Sequence, residues 1–163
     1  MLKIILYLND NLIWMKYFKY TLFTLFKLPA AWITGVRLTH LDDQGATASI
    51  RHRWINQNPY NSMFWAVQGM AAEFPTGILL TQEINRSKRS ISMLVLNNKA
   101  SFTKKATGRI NFTCTQGQEA RDVISTLINT GEPQTVWLDA VGVNEKGQQV
   151  SKFSFEWTLL LKK

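Results

Sequence analysis

Hydrophobic and polar positions alternate most strictly near the C-terminus, where Phe153, Phe155, Trp157, Leu159 and Leu161 are separated by mostly polar neighbours. That is the period of a half-buried strand. The preceding PQTVWLDAVGV has the residues of a partner strand, and NEKGQ between the two reads as a hairpin turn. The same reading pairs ITGVRLTHLDD with GATASIRHRWIN through a turn cluster at residues 42–45. It also pairs ISMLVLNNKASFTKK with GRINFTCTQ through a turn near residues 106–108. In QEARDVISTLINTG the period changes: Ala120, Val123, Ile124, Leu127 and Ile128 share one helical face, and Gly131 suits the stop. Upstream, Leu22, Leu25, Phe26 and Pro29 read as an amphipathic helix ending at the proline. The predicted order is α-β-β-α-β-β-α-β-β.

The second helix is the unusual element. It lies in NPYNSMFWAVQGMAAEFPTG (residues 58–77), where Met63, Ala66, Val67, Met70, Ala71 and Phe74 keep the i, i+3, i+4 spacing of a core-facing stripe. The remaining arc, Trp65, Gly69, Ala72, Glu73 and Thr76, carries no charged face; Gln68 and Glu73 are the only strongly polar side chains between Met63 and Phe74. A helix of this kind is expected to be buried all round. An antiparallel sheet covers one side. A second copy of the chain is expected to cover the other, with Gly69 and Ala72 permitting close approach. Pro75, two residues after Glu73, is expected to kink the helix or end its regular turn.

With 163 residues, 45% apolar and 18% charged, the chain has the composition and size of a globular domain. No repeat, low-complexity tract or linker divides it, so one domain is expected, with a helical extension over residues 1–29 and a core over 30–163. The start is apolar, but Asn9, Asp10 and Asn11 break the first run, and Lys16, Lys19 and Lys27 interrupt the next stretch. A helix packed on the domain is therefore expected rather than a signal or a span. A membrane-surface helix is the lesser alternative, because lysines lie among Trp14, Tyr17, Phe18 and Phe23. The single cysteine, Cys114, excludes an internal disulfide and suits a reducing, cytoplasmic setting. It shares the apolar phase of Ile110 and Phe112 and reads as a small core residue. His40 and His52 are isolated on strand-like segments, and no spacing suggests a metal site.

Charge is unevenly placed. The net value is +8, and residues 84–118 hold Arg86, Lys88, Arg89, Lys99, Lys104, Lys105 and Arg109 with no acid. Such a segment is either a solvated basic face or a surface for an anionic partner: nucleic acid, lipid or a phosphate-bearing molecule. Only Phe102 and Phe112 are aromatic within it and no recognition motif is present, so nucleic acid is not expected.

A long apolar helix held by a curled antiparallel sheet resembles the hotdog fold of acyl-CoA thioesterases. The residues resemble most closely the uncharacterised thioesterase-related branch with an extra N-terminal helix: Arg51, Arg53 and Trp54 on a strand, then Asn58, SMF at residues 62–64, Glu73 and Gly77. SFTKKATGR and DAVGVNEKGQQVSKFSFEWTLL belong to the same pattern, which runs from about Pro29 to the end. The resemblance implies an α+β hotdog fold, a curved antiparallel sheet wrapped around a long apolar helix with an extra N-terminal helix. Two departures stand out. The His-Gly-Gly of many hotdog thioesterases is replaced by Tyr60-Asn61-Ser62-Met63, so the glycines that admit a thioester carbonyl are missing. NQNPYN at residues 56–61 is similar to the Asp-x-Asn-Pro-x-His of hotdog enoyl-CoA hydratases, but Asn replaces both acid–base residues, and an amide cannot shuttle that proton.

By this resemblance Glu73 stands at the family's acidic position and acts on the thioester of an acyl-CoA as general base or nucleophile. Desolvation among Met, Phe and Ala is expected to raise its pKa toward the useful range. Backbone N–H groups of Ser62, Met63 and Phe64 are the expected oxyanion donors, joined by Asn58 and Asn61. Thr76 is placed with the substrate-contacting residues. Lys88, Arg89, Lys104, Lys105 and Arg109 are expected to hold the phosphates of coenzyme A, which enters as part of the substrate and not as a separate cofactor. In similar enzymes two subunits complete the site, so a homodimer, or a dimer of dimers, is expected. Other readings stand beside these. Glu73 is then a buried carboxylate paired with Arg51 or Arg53, Asn58 and Asn61 are turn and cap residues, and the protein is a non-catalytic dimer binding an acyl chain, acyl carrier or lipid.

Overall fold

The computed structural model describes residues 20–162. The expectations for Trp14, Tyr17 and Phe18 lie outside the described residues. The chain is helical over residues 20–27, breaks at Leu28 and resumes as α1 (Pro29–Thr34). The proline expected to end a helix therefore begins one, at a position where its missing N–H leaves no bond unmade. Gly35, with φ 94°, turns the chain toward β1 (Arg37–Leu41). β2 (Ala46–Arg51) folds back on β1 across a turn built by Asp42, whose carboxylate accepts the N–H groups of Gln44 and Gly45, both at 2.8 Å.

The strand predicted to run on to Asn56 stops at Arg51, and Trp54–Asn56 form a 3-10 turn instead. Asn56 is the cause. Its buried side chain accepts the Arg53 N–H at 2.8 Å and donates to the carbonyls of Thr34 (3.0 Å) and Arg51 (2.9 Å). Such side-chain bonds offer the backbone an alternative to the ladder.

α2 (Trp65–Ser87) follows, then β3 (Ile91–Phe102), β4 (Arg109–Cys114), α3 (Gly117–Thr130), β5 (Gln134–Asn144) and β6 (Gln149–Leu161). The strands form one antiparallel sheet in the order β1-β2-β4-β5-β6-β3. The β1–β2 and β5–β6 pairs are those expected. The expected pairing of β3 with β4 is not formed: β4 lies between β2 and β5, while β3 runs along β6 with Ile91 opposite Leu161 and Phe102 opposite Ser151. Residues 103–108 are thus a crossover and not a hairpin turn. β3 is one edge of the sheet and β1 the other.

The curved sheet closes around α2, giving the α+β hotdog architecture. Ile50, Ile110, Phe112, Leu138, Phe153 and Leu159 from the strands pack with Ala71, Ala72, Leu79 and Leu80 of the helix. Of the predicted stripe, Met63, Val67, Ala71 and Phe74 are buried. The opposite arc departs from expectation. Ala72 and Thr76 are 0% exposed within the chain itself, and the Phe153 ring lies 3.6 Å from where a side chain on Gly69 would begin. The sheet therefore covers positions assigned to a second copy, and only Trp65 and Glu73 of that arc are exposed. α2 also continues past Pro75 to Ser87, so the proline does not end it. Cys114 is fully buried, as its phase suggested, and desolvation pushes its thiol up to about 11.

Candidate active site

Residues 73, 77 and 81 recur at i, i+4 and i+8, so Glu73, Gly77 and Thr81 form one line along α2. That line borders an apolar cavity of about 430 Å³. Met93 of β3 and Trp157 of β6 close it from the sheet side, and Phe23 and Leu28 close it from the N-terminal helical segment. Gly77 lets the helix pass close to the sheet: a Cβ there would lie a tight 3.3 Å from two ring carbons of Trp157. Trp157 is fixed in turn by its indole N–H, which donates to the Thr76 hydroxyl at 3.1 Å, and that hydroxyl donates to the Glu73 carbonyl at 2.7 Å. Thr76, expected among the substrate-contacting residues, therefore pins the cavity wall from inside the core and does not line the cavity.

Glu73 sits at the cavity mouth, exposed in the protomer but walled by apolar side chains. Among the described residues its carboxylate has no ion pair and accepts no hydrogen bond, so the pairing with Arg51 or Arg53 is absent. Lys27 lines the same cavity without reaching ion-pair distance. With desolvation uncompensated, the pKa of Glu73 is raised above the ordinary glutamate value.

A second cavity, of about 420 Å³, opens at the start of α2. It brings together Asn58, Ser62, Met63, Lys104 and Lys105, with Gln68 at its back. The N–H groups expected to be oxyanion donors are already bonded: Ser62 to the Asn58 side chain (3.2 Å), Met63 to the Ala106 carbonyl (2.9 Å) and Phe64 to the Asn56 carbonyl (2.8 Å). Free donors lie one step further on, at Trp65 and Ala66, the first positions of α2, which have no intrahelical partner. Asn58 organises the turn: its carbonyl also accepts the Tyr60 N–H at 2.9 Å and its amide donates to the Ser62 hydroxyl at 3.0 Å. Asn61 takes the left-handed conformation, φ 56°, that an asparagine tolerates in such a turn.

The basic residues do not converge. Lys88 is the left-handed C-cap of α2 and Arg89 is exposed beside it, about 35 Å along the helix from Trp65. Arg109 lies on β4, donating to the Ser49 hydroxyl at 3.3 Å. Only Lys104 and Lys105 flank the cavity at the helix start, where the Lys105 ammonium also donates to the Tyr60 carbonyl at 3.3 Å. Among the described residues no group of three or more His, Cys, Asp or Glu side chains comes together to hold a metal ion.

Sequence reasoning missed Gln68, Gly77, Met93 and Trp157 as parts of these two cavities. The signal for Gln68 was present, since it and Glu73 are the only strongly polar side chains between Met63 and Phe74. Buried, it donates to the Met63 carbonyl at 3.1 Å and accepts from the Ser151 hydroxyl at 2.9 Å, tying the helix start to β6.

A family model described as a domain of unknown function, DUF4442, matches residues 19–159. No curated protein matches the chain in sequence. Among solved structures, the chain is similar to a Pseudomonas aeruginosa protein of unknown function titled a probable thioesterase, at 18% identity and TM-score 0.75 over 88% of this chain and 95% of that one. It is similar to a protein of unknown function from Chlorobaculum tepidum at 15% identity and TM-score 0.77, covering 90% and 94%. A mutant thioesterase from Pseudomonas aeruginosa matches at 13% identity and TM-score 0.68, covering 90% and 94%. At these identities the likeness is one of fold: a thioesterase-like hotdog architecture.

Proposed function

The chain belongs to the DUF4442 family, and on that premise we propose that it hydrolyses the thioester of an apolar acyl group, an acyl-CoA or a related acyl carrier, with Glu73 as the catalytic carboxylate. One observation carries this: a carboxylate with no partner among the described residues, its pKa raised by partial desolvation, at the mouth of an apolar cavity of about 430 Å³. Such a cavity matches the size of small-molecule sites. The acyl chain lies along Met70, Met93 and Trp157. Glu73 takes a proton from water, the water oxygen bonds to the thioester carbon, and the C–S bond breaks as the oxyanion collapses. The thiolate leaves and takes up the proton.

The oxyanion needs donors that Glu73's own protomer does not place beside it. Trp65 and Ala66, with the free N–H groups, lie about 10–12 Å along the helix axis from Glu73. A homodimer that sets the helix start of one copy against Glu73 of the other completes the site, and Lys104 and Lys105 then meet the phosphates of a coenzyme A arm. A second reading has its own support: the bonded N–H groups of Ser62, Met63 and Phe64 suit a dimer that binds acyl groups without hydrolysing them.

The test is release of free thiol from a panel of acyl-CoAs of increasing chain length. Glu73→Gln is expected to lower the rate by about 100-fold or more. Turnover unchanged in that variant removes Glu73 from the mechanism. Co-purified acyl ligand with no turnover favours the binding reading.

A further inference from the structure

On the outer side of the segment that walls the cavity at Lys27, Leu28 and Ala31 lies an apolar surface that no described residue covers. Trp54 is 83% exposed, Phe26 75%, Ile33 57% and Ile55 50%. These side chains are not loose. The buried Asn56 fastens the 3-10 turn to the carbonyl of Thr34, which sets Trp54 and Ile55 next to the end of α1 and Ile33. The segment carrying Phe26 and Ile33 also supplies Lys27, Leu28 and Ala31 to the cavity wall. One short stretch therefore faces the site on one side and solvent on the other.

The charged side chains carried by the segments that build this face have one sign. No Asp or Glu occurs in residues 11–41 or 44–72, whereas Lys27, Arg37, Arg51 and Arg53 do. Arg37 is held over the Trp32 ring at 4.9 Å and donates to the carbonyls of Trp32 (2.9 Å) and Val36 (2.8 Å). Arg53 is near enough to repel it. A second copy is a poor cover for such a face, because an isologous contact sets these cations against themselves in a protein of net charge +8.

We propose that this face docks the protein on an anionic lipid surface, with Trp54, Ile55, Ile33 and Phe26 seated at the depth of the headgroups and Lys27, Arg37 and Arg53 against lipid phosphates. Tryptophan and aliphatic side chains on a basic face are the components of interfacial attachment. The attachment is peripheral: no helix among the described residues is long and apolar enough to cross a membrane. It brings the outer side of the cavity wall, the segment of Lys27, Leu28 and Ala31, to the layer where long acyl groups reside; that this serves the reaction rests on the proposed hydrolase reading, and the docking itself does not.

The experiment is co-sedimentation of the full chain with vesicles of phosphatidylcholine alone, or with about one third phosphatidylglycerol, in the absence of any thioester. Wild type is expected to sediment with the anionic vesicles, weakly with the zwitterionic ones, and to be released at about 0.5 M salt. Ile33→Ser with Trp54→Ser is expected to weaken binding by about tenfold or more. Arg53→Ser is expected to weaken it by about fivefold. All these side chains are exposed, and circular dichroism confirms that the variants fold. The proposal is overturned if wild type ignores anionic vesicles or if the double variant binds as wild type does. It is also overturned if the double variant breaks a larger assembly into a smaller one in the ultracentrifuge, which would make the face a protein interface. Vesicle binding without any thiol release would leave the docking standing and remove the hydrolase reading alone.

Discussion

At Glu73 two demands oppose one another: a general base near neutral pH works better with a raised pKa, whereas a fold is better off without an unpaired charge against apolar walls. The conflict is measurable without any substrate. Partial desolvation against the apolar cavity wall raises the folded-state pKa, and the unfolded chain keeps the ordinary value. Between those two values the folded state holds a proton the unfolded state has lost. Stability from this group is therefore full below the unfolded pKa and falls as pH climbs through the folded one. Glu73→Gln never ionises, so its urea midpoint should gain on wild type between about pH 4 and pH 7. An equal difference at both pH values would mean that the carboxylate is not desolvated. Cys114 gives the companion case. With its thiol pushed up to about 11 and no exposed surface, it should resist a thiol reagent at neutral pH and react once the chain is unfolded. Both residues were legible in the sequence, Glu73 as the lone acid of the apolar stretch over residues 58–77 and Cys114 by its phase with Ile110 and Phe112. Thr76 was not, because spacing alone does not tell an inward hydroxyl bonded to Trp157 from one that meets a ligand.

Among the elements, helix and strand periods were visible wherever one face meets the core, and least visible where side chains replace the regular ladder. Asn56 ends β2 by bonding to the backbone on both sides of it, including the Thr34 carbonyl far away in sequence. No local pattern carries that contact. The partner of β3 was hidden for a similar reason: alternation marks a strand but does not choose its neighbour, and proximity in sequence favoured a β3–β4 hairpin over the observed pairing with β6. The wall between α2 and β6 offers a test at this scale. Thr76→Val removes the acceptor of the Trp157 indole N–H and leaves that donor buried and unpaired. The expected loss is about 1–3 kcal/mol in urea unfolding. Combining it with Trp157→Phe, which removes the donor as well, should recover part of the loss attributable to the unpaired group. Simple additivity of the two substitutions would show that the hydrogen bond does not couple them.

For the whole molecule, the open question is what meets β3. It is an edge strand of 12 residues with no partner on its outer side among the described residues, and Leu94 and Leu96 stand exposed along it. A long apolar edge is a template for pairing with another chain. Met93 of the same strand lines the Glu73 cavity, so the proposed dimer, if it forms at this edge, has its boundary next to that cavity. The shared site proposed above then requires the helix start of one copy to reach the carboxylate of the other across this boundary. Leu94→Lys with Leu96→Lys places like charges on facing edges and should convert a dimer to a monomer in analytical ultracentrifugation. If the site is shared, thiol release falls with the dimer fraction. Restoring the dimer by raising protein concentration should restore the rate per protomer. A variant that is monomeric and hydrolyses acyl-CoA at the wild-type rate would place every catalytic group within one chain and leave the β3 edge with no part in the reaction.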